Sequence, residues 1–173
     1  MLAKSISIVS VDLARNPIGS DGAHHLTQVL KKSSTLRELL LDGCKLGPQG
    51  ADLISKAAAG STSLRILGLR HNSIGQEGAV SVSENLIAAN TNLQELDLAT
   101  NGIGFGDALH IMAQALEKNK GIRRLNLSYN DCVLPLRRAQ NRQLHLCFRR
   151  KRIIGIWTDP TPLRHDPPDS DAH

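Results

Sequence analysis

The sequence predicts an α/β solenoid in which a short strand, a glycine turn and a helix recur about every 28 residues. A core of the form apolar-x-x-apolar-x-Leu-x-x-Asn/Cys occurs five times in the 173-residue chain. Its copies lie 28, 28, 29 and 29 residues apart, and they begin at Ile8, Leu36, Leu64, Leu93 and Ile122. A nearly fixed period of this length is typical of repeat architectures, in which each unit packs only on its neighbours.

Each unit changes its apolar spacing part-way along. The first part alternates with a period of two, which predicts a strand. A glycine then follows at Gly19, Gly47, Gly75 and Gly104. Beyond it, apolar residues recur at spacings of three or four, as in Ala51, Ile54 and Ala58, and this spacing predicts a helix. The paired leucines of Leu-x-Leu are expected to point into the layer between strand and helix, so that all units share one apolar core.

An asparagine closes four of the five cores, and a cysteine closes the second. At this position the chain must leave the strand. The side-chain amide can pair turn backbone groups that would otherwise be buried without partners, at a cost of roughly 1–3 kcal/mol each. The sequence therefore predicts a structural turn ladder made of Asn16, Cys44, Asn72, Asn101 and Asn130.

The second and third units, LRELLLDGCKLGPQGADLI and LRILGLRHNSIGQEGAVSV, resemble leucine-rich repeats of the ribonuclease-inhibitor-like class. Units of that class read LxxLxLxxN/C followed by LGxxGAxxLxxxL, and they occur in ribonuclease inhibitor and in NOD-like receptors. The resemblance covers about residues 6–132. It implies a right-handed, curved solenoid with a parallel sheet on the concave side and helices on the convex side. We expect a leucine-rich repeat domain over residues 1–132, with about four and a half repeats.

On such a fold, the non-core strand positions of neighbouring units form columns on the concave side, about 4.8 Å apart. Carboxylates outnumber bases there, and a Tyr is the aromatic side chain available as an anchor. We interpret the columns as a mildly acidic surface with a basic centre that binds another protein. The predicted contacts are Asp12, Glu38, Asp42, Arg70, His71, Glu95, Asp97, Asn126 and Tyr129. The alternative is an ordinary solvated sheet face, on which Tyr129 packs against the C-terminal segment.

No catalytic residue, metal site or cofactor is expected. Glu95 and Asp97 share a side of one strand, but paired carboxylates do acid–base chemistry only where burial separates their pKa values. A shallow, exposed sheet offers no such burial. The cysteines, Cys44, Cys132 and Cys147, show no metal-ligand spacing and favour a reducing compartment. No apolar run approaches the length of a membrane span, so no membrane partner is expected.

The tail, residues 133–173, departs from the repeat. It holds 8 Lys+Arg against 4 Asp+Glu, whereas residues 1–132 hold 13 against 12. The basic run at 149–152 is typical of nuclear localisation or nucleic-acid binding, and residues 159–173 are rich in Pro and Asp. We expect a basic, then Pro/Asp-rich tail that is poorly ordered. The abrupt change indicates that it replaces further repeats, through an alternative terminal exon or an error in the gene model, and that the repeats belong to a longer array.

The predicted function is a non-catalytic, cytoplasmic scaffold that binds another protein through its concave face, without a small-molecule substrate. Two alternatives stay open. One is a regulatory or sensor repeat module, of the type found in small-GTPase regulators or innate-immune receptors. The other is nucleic-acid binding through the basic tail, which would also allow a nuclear location.

Overall fold

The computed structural model describes residues 8–104 and 106–130, and the backbone of residues 145–149 and 152–157. The repeat strands are β1 (Ser10–Asp12), β2 (Glu38–Leu40), β3 (Ile66–Gly68), β4 (Glu95–Asp97) and β5 (Arg124–Asn126). The helices between them are α1 (Gly19–Lys32), α2 (Gly47–Ala59), α3 (Gly75–Ser81) and α4 (Asp107–Lys118). Strands β1 to β5 pair in parallel in chain order. The predicted α/β solenoid is confirmed.

The apolar core lies between the sheet and the helices. Both leucines of each Leu-x-Leu are buried against helix residues such as Ile54 and Leu86 in one continuous cluster. Their spacing of two puts them on the same face of the strand. Full burial of one such side chain stabilises the fold by roughly 1.5–3 kcal/mol, so this shared layer holds neighbouring units together.

The glycine turn gives each helix its start. Gly47 has a φ of +62°, in the left-handed region that a side chain disfavours. Its backbone N–H donates to the carbonyl of Asn72 in the next unit at 2.9 Å. The equivalent Gly19 donates to the carbonyl of Cys44 at 3.0 Å. The turn therefore joins consecutive units as well as reversing the chain.

Helix α3 of the third unit continues directly into a π-helical segment, Val82–Ile87. A π-helical turn closes its hydrogen bonds over one more residue than an α-helical turn. The fourth unit also has 29 residues, and its helix α4 is an ordinary α-helix. The π-helical segment therefore does not follow from the repeat length alone, and its Leu86 and Ile87 are buried in the core.

Two further strands extend the sheet beyond β5, and both lie in the segment that is predicted to be poorly ordered. They are β6 (His145–Arg149) and β7 (Arg152–Trp157); β7 pairs antiparallel with both β5 and β6. The sequence of β7, RIIGIW, is rich in β-branched and aromatic residues, which favour strands. The predicted poor order of residues 133–173 stays a prediction. The rest of the predicted tail lies outside the described residues.

Candidate functional site

The strand register defines two rows of residues on the sheet face opposite the helices, which we call the concave face. The first row is Ser10, Glu38, Ile66, Glu95 and Arg124. The second is Asp12, Leu40, Gly68, Asp97 and Asn126. These are the columns expected from the repeat, so the predicted neighbours on this face are neighbours in the structure.

Asp97 is the fourth of the five residues in the second row and is more buried than expected. Its Oδ2 accepts a hydrogen bond from Nδ2 of Asn126 at 3.0 Å, and its Oδ1 accepts one from the backbone N–H of Ala99 at 2.8 Å. Burial, with a smaller contribution from the nearby Asp42 carboxylate, raises the pKa of Asp97 to about 6. These hydrogen bonds and the charge of Arg70 lower it in part. The expectation of a fully exposed sheet is therefore wrong at this residue.

Asp42 links the second unit to the third. Its Oδ1 accepts a hydrogen bond from the backbone N–H of Arg70 at 2.9 Å. Gly68 makes room for this reach, since a Cβ at that position would lie 2.8 Å from the same oxygen. The carboxylate is consequently fixed beside the backbone of Arg70, at the basic centre that the sequence predicts.

Polar pairs hold the two ends of the first row. Ser10 Oγ donates to Glu38 Oε2 at 2.8 Å, and Arg124 forms an ion pair with Glu95. Asn126, which the sequence places among the contact residues, is only 3% exposed, and its Oδ1 accepts from the Ser128 hydroxyl at 2.5 Å. Asn126 therefore orients its neighbours and presents little surface to a partner.

The eighth position of each unit lies at the end of the strand in left-handed backbone. Its φ values run from 55° to 68° at Arg15, Gly43, His71, Thr100 and Tyr129. The side chains of Arg15, His71 and Tyr129 are exposed, and Tyr129 is 68% exposed. Two of the predicted contacts, His71 and Tyr129, thus project into solvent along one edge of the concave face.

The turn-ladder residues from Cys44 to Asn130 bridge consecutive units. Asn101 is 1% exposed; its Nδ2 donates to the Leu69 carbonyl at 2.9 Å, and its Oδ1 accepts from the backbone N–H of Asn72 at 2.8 Å. Cys44 Sγ donates to the Leu13 carbonyl at 3.1 Å. Burial raises the pKa of the Cys44 thiol, which keeps the proton that this bond requires.

A second ladder, at the helix-to-strand turn, was not predicted. Asn90 Nδ2 donates to the Ala58 carbonyl at 2.9 Å, and its Oδ1 accepts from the backbone N–H of Leu93 at 2.8 Å. The four residues of this ladder each lie three positions before the first apolar residue of the next core: Ser33, Ser61, Asn90 and Asn119. The 28-residue units use serine and the 29-residue units use the longer asparagine. That regular spacing is visible in the sequence and is the signal that could have revealed the ladder.

Within the described part of the chain, no three His, Cys, Asp or Glu side chains cluster as metal ligands would. The helices described there are all too short or too polar to cross a bilayer.

A groove of about 530 Å³ lies on the helix side, lined by Asp21, Asp52 and Glu77 among others. Carboxylates, guanidinium groups and exposed phenol or imidazole rings suit the concave face to noncovalent recognition.

A family model described as "Leucine Rich repeat" matches four successive stretches of the chain, at residues 4–26, 32–55, 60–83 and 89–104. This chain belongs to the leucine-rich repeat family. The relatives place it in the ribonuclease-inhibitor-like class of that family, as predicted.

Two curated relatives and one solved structure illustrate the likeness. The leucine-rich repeat chain is 32% identical to mouse ribonuclease inhibitor over 87 residues, which are 50% of this chain and 19% of the relative. It is 44% identical to the human "Centrosomal protein of 78 kDa" over 55 residues, 32% of this chain and 8% of the relative. The chain thus spans about a fifth or less of the curated relatives it matches. The structure entitled "Leiomodin-1 Actin-Binding Site 2 (ABS2)" superposes with a TM-score of 0.67, covering 74% of each chain at 18% identity, which supports the fold alone.

Proposed function

We propose that this leucine-rich repeat chain is a non-catalytic interaction module that binds another protein through its concave face. His71 and Tyr129, at the edge of this face, provide the exposed anchors. The charged groups behind them, Asp42 and Asp97, provide fixed polar contacts.

The observation that carries the proposal is the backbone at the eighth position. Left-handed conformation costs a residue with a side chain roughly 1–2 kcal/mol, and glycine avoids that cost. Gly43 occupies this position in the second unit, whereas His71 and Tyr129 occupy it in the third and fifth. These large side chains gain little from packing because they are exposed. Strain of this kind concentrates at functional sites, which supports a binding role for the exposed side chains.

The names of two similar proteins support the proposal that the partner is a protein. One is named as an inhibitor of ribonuclease, and the superposed structure is entitled as a site that binds actin. Both names describe recognition of another protein, so the shared architecture favours the same general activity here.

Substitutions at this edge are expected to weaken binding of the partner without lowering the stability of the fold. The free energy of unfolding of the double variant, His71→Gly and Tyr129→Gly, is expected to equal that of the unsubstituted chain or to exceed it by up to ~1 kcal/mol, because backbone strain is relieved. It should lose at least about tenfold in affinity for proteins retained by the immobilised full chain, since aromatic anchors dominate binding energy.

Ser73→Gly is the matched control. Ser73 is also exposed and left-handed, with a φ of 53°, but it follows the buried Asn72 in the turn. Quantitative mass spectrometry of the retained proteins measures the effect. Equal retention by the double variant and the control would refute the concave face as the binding surface.

A further inference from the structure

The charges of the repeat domain are separated between its two edges. One edge contains the helix C-termini and the positions just before the strands. Of the twelve Lys and Arg in the described residues 8–104 and 106–130, eight lie at this edge, together with two acids, Glu84 and Glu117. We call six of these eight cations the basic edge: Lys31, Lys32, Arg37, Arg65, Lys120 and Arg123. The near-zero net charge of the repeats conceals this asymmetry.

The arginines of the basic edge form a row across the units. The backbone N–H of Arg65 donates to the carbonyl of Arg37 at 2.7 Å, and Gln94 and Arg123 continue the same chain of hydrogen bonds at 2.8 Å each. Strands pair about 4.8 Å apart, so the three arginines span roughly 14 Å. The Arg65 guanidinium donates to the Thr62 and Leu64 carbonyls at 2.9 and 3.0 Å, which holds it at this edge.

Helix electrostatics account for only part of this edge. Lys31 and Lys32 lie in the last turn of α1, where cations interact favourably with the helix dipole. Lys56 is already paired with Asp52 at 2.7 Å. Arg37 and Arg123 precede strands and lie in no helix, so the dipole does not explain them.

We propose that the basic edge is a second interaction surface, which binds an extended, Asp- or Glu-rich segment of a partner protein. In an extended segment, alternate side chains lie on one side about 6.8 Å apart. Three carboxylates of such a segment therefore cover the same roughly 14 Å as the arginine row. Guanidinium groups bind carboxylates through two parallel hydrogen bonds, which favours arginine at such a site.

An acidic peptide fits this edge better than a nucleic acid. Proteins that bind single strands combine cations with aromatic rings on which bases stack. Residues 8–104 and 106–130 place no Phe, Tyr or Trp side chain on the basic edge, and Tyr129 lies at the opposite end of its strand.

The test uses the full chain and a fluorescein-labelled peptide of ten glutamates, with binding followed by fluorescence anisotropy. At about 0.1 M salt the Debye length is about 10 Å, so charges on the two edges act separately. Arg37→Glu with Arg65→Glu should weaken binding by about tenfold or more, since each reversal removes an attraction and adds a repulsion. The control, Arg15→Glu with Lys45→Glu, makes the same change in net charge on the opposite edge and should alter binding by less than about threefold.

The basic run at 149–152 is identical in both variants, so its own attraction for the peptide cancels in the comparison. Lys31→Gln with Lys32→Gln gives a second, milder variant that leaves Arg65 and its carbonyl partners in place and should weaken binding by about threefold. The proposal is overturned if both edges respond equally or if the unsubstituted chain fails to bind the peptide. Tighter, edge-dependent binding of a twelve-residue oligothymidylate would also overturn it, in favour of nucleic acid.

Discussion

Replacing Asn101 with alanine is expected to cost about 3–5 kcal/mol of unfolding free energy. The Asn101 amide donates to carbonyls on two units and accepts from the backbone N–H of Asn72. Alanine leaves at least two of these groups without a partner in a site that is 1% exposed. Each buried, unpaired group costs roughly 1–3 kcal/mol. A domain of this size has about 5–15 kcal/mol in total, so the change should be a large fraction of the stability.

Asn16→Ala is the matched control, because Asn16 starts the same ladder in an exposed position. Its Nδ2 donates to the Leu13 carbonyl at 2.9 Å within its own turn, where water can replace it. We expect a cost of about 0.5–1 kcal/mol. Urea-induced unfolding, followed by far-ultraviolet circular dichroism, measures both variants. If the losses of unfolding free energy in Asn101→Ala and Asn16→Ala differ by less than about 1 kcal/mol, burial does not determine how much a ladder residue stabilises the fold.

Two further predictions concern the concave face. Because the pKa of Asp97 is raised to about 6, the folded state holds this proton more tightly than the unfolded state, so the stability it contributes is present at pH 4 and is lost as pH rises through 6. The stability of Asp97→Asn relative to the parent should therefore increase by about 2 kcal/mol between pH 4.5 and pH 7.5 in urea titrations, and a constant difference would contradict the assigned burial. Gly68→Ala should destabilise by about 1–2 kcal/mol, because its Cβ would approach the Asp42 carboxylate to 2.8 Å. Gly60→Ala, where a Cβ meets nothing within 4 Å, should be neutral or stabilising by thermal unfolding, and equal effects would remove the steric argument.

The repeat period was sufficient to predict the strands, the helices and the register of the rows. A fixed register follows once each Leu-x-Leu must face the same core, since a slip of one residue would expose it. The longer spacing of 29 predicts one added residue in each of the third and fourth units. It does not predict the π-helical segment after α3, because the fourth unit has the same length and an ordinary α-helix.

The candidate site was predictable in position and less so in environment. Sequence placed Asp97 and Asn126 side by side, but their burial depends on how closely neighbouring strands and side chains pack, which no single repeat reveals. The net charge of residues 1–132 does not reveal the basic edge, because acids and bases cancel in the sum, whereas the fold separates them by position within the unit.

Site-specific photo-crosslinking determines whether the concave face contacts a partner protein. Benzoylphenylalanine would replace His71 on the concave edge in one full-length variant and the exposed Gln49 on α2 in the other. We expect a discrete adduct from position 71 that excess unsubstituted chain suppresses, and none from position 49. Adducts from position 49 alone, or equal adducts from both positions, would contradict this expectation.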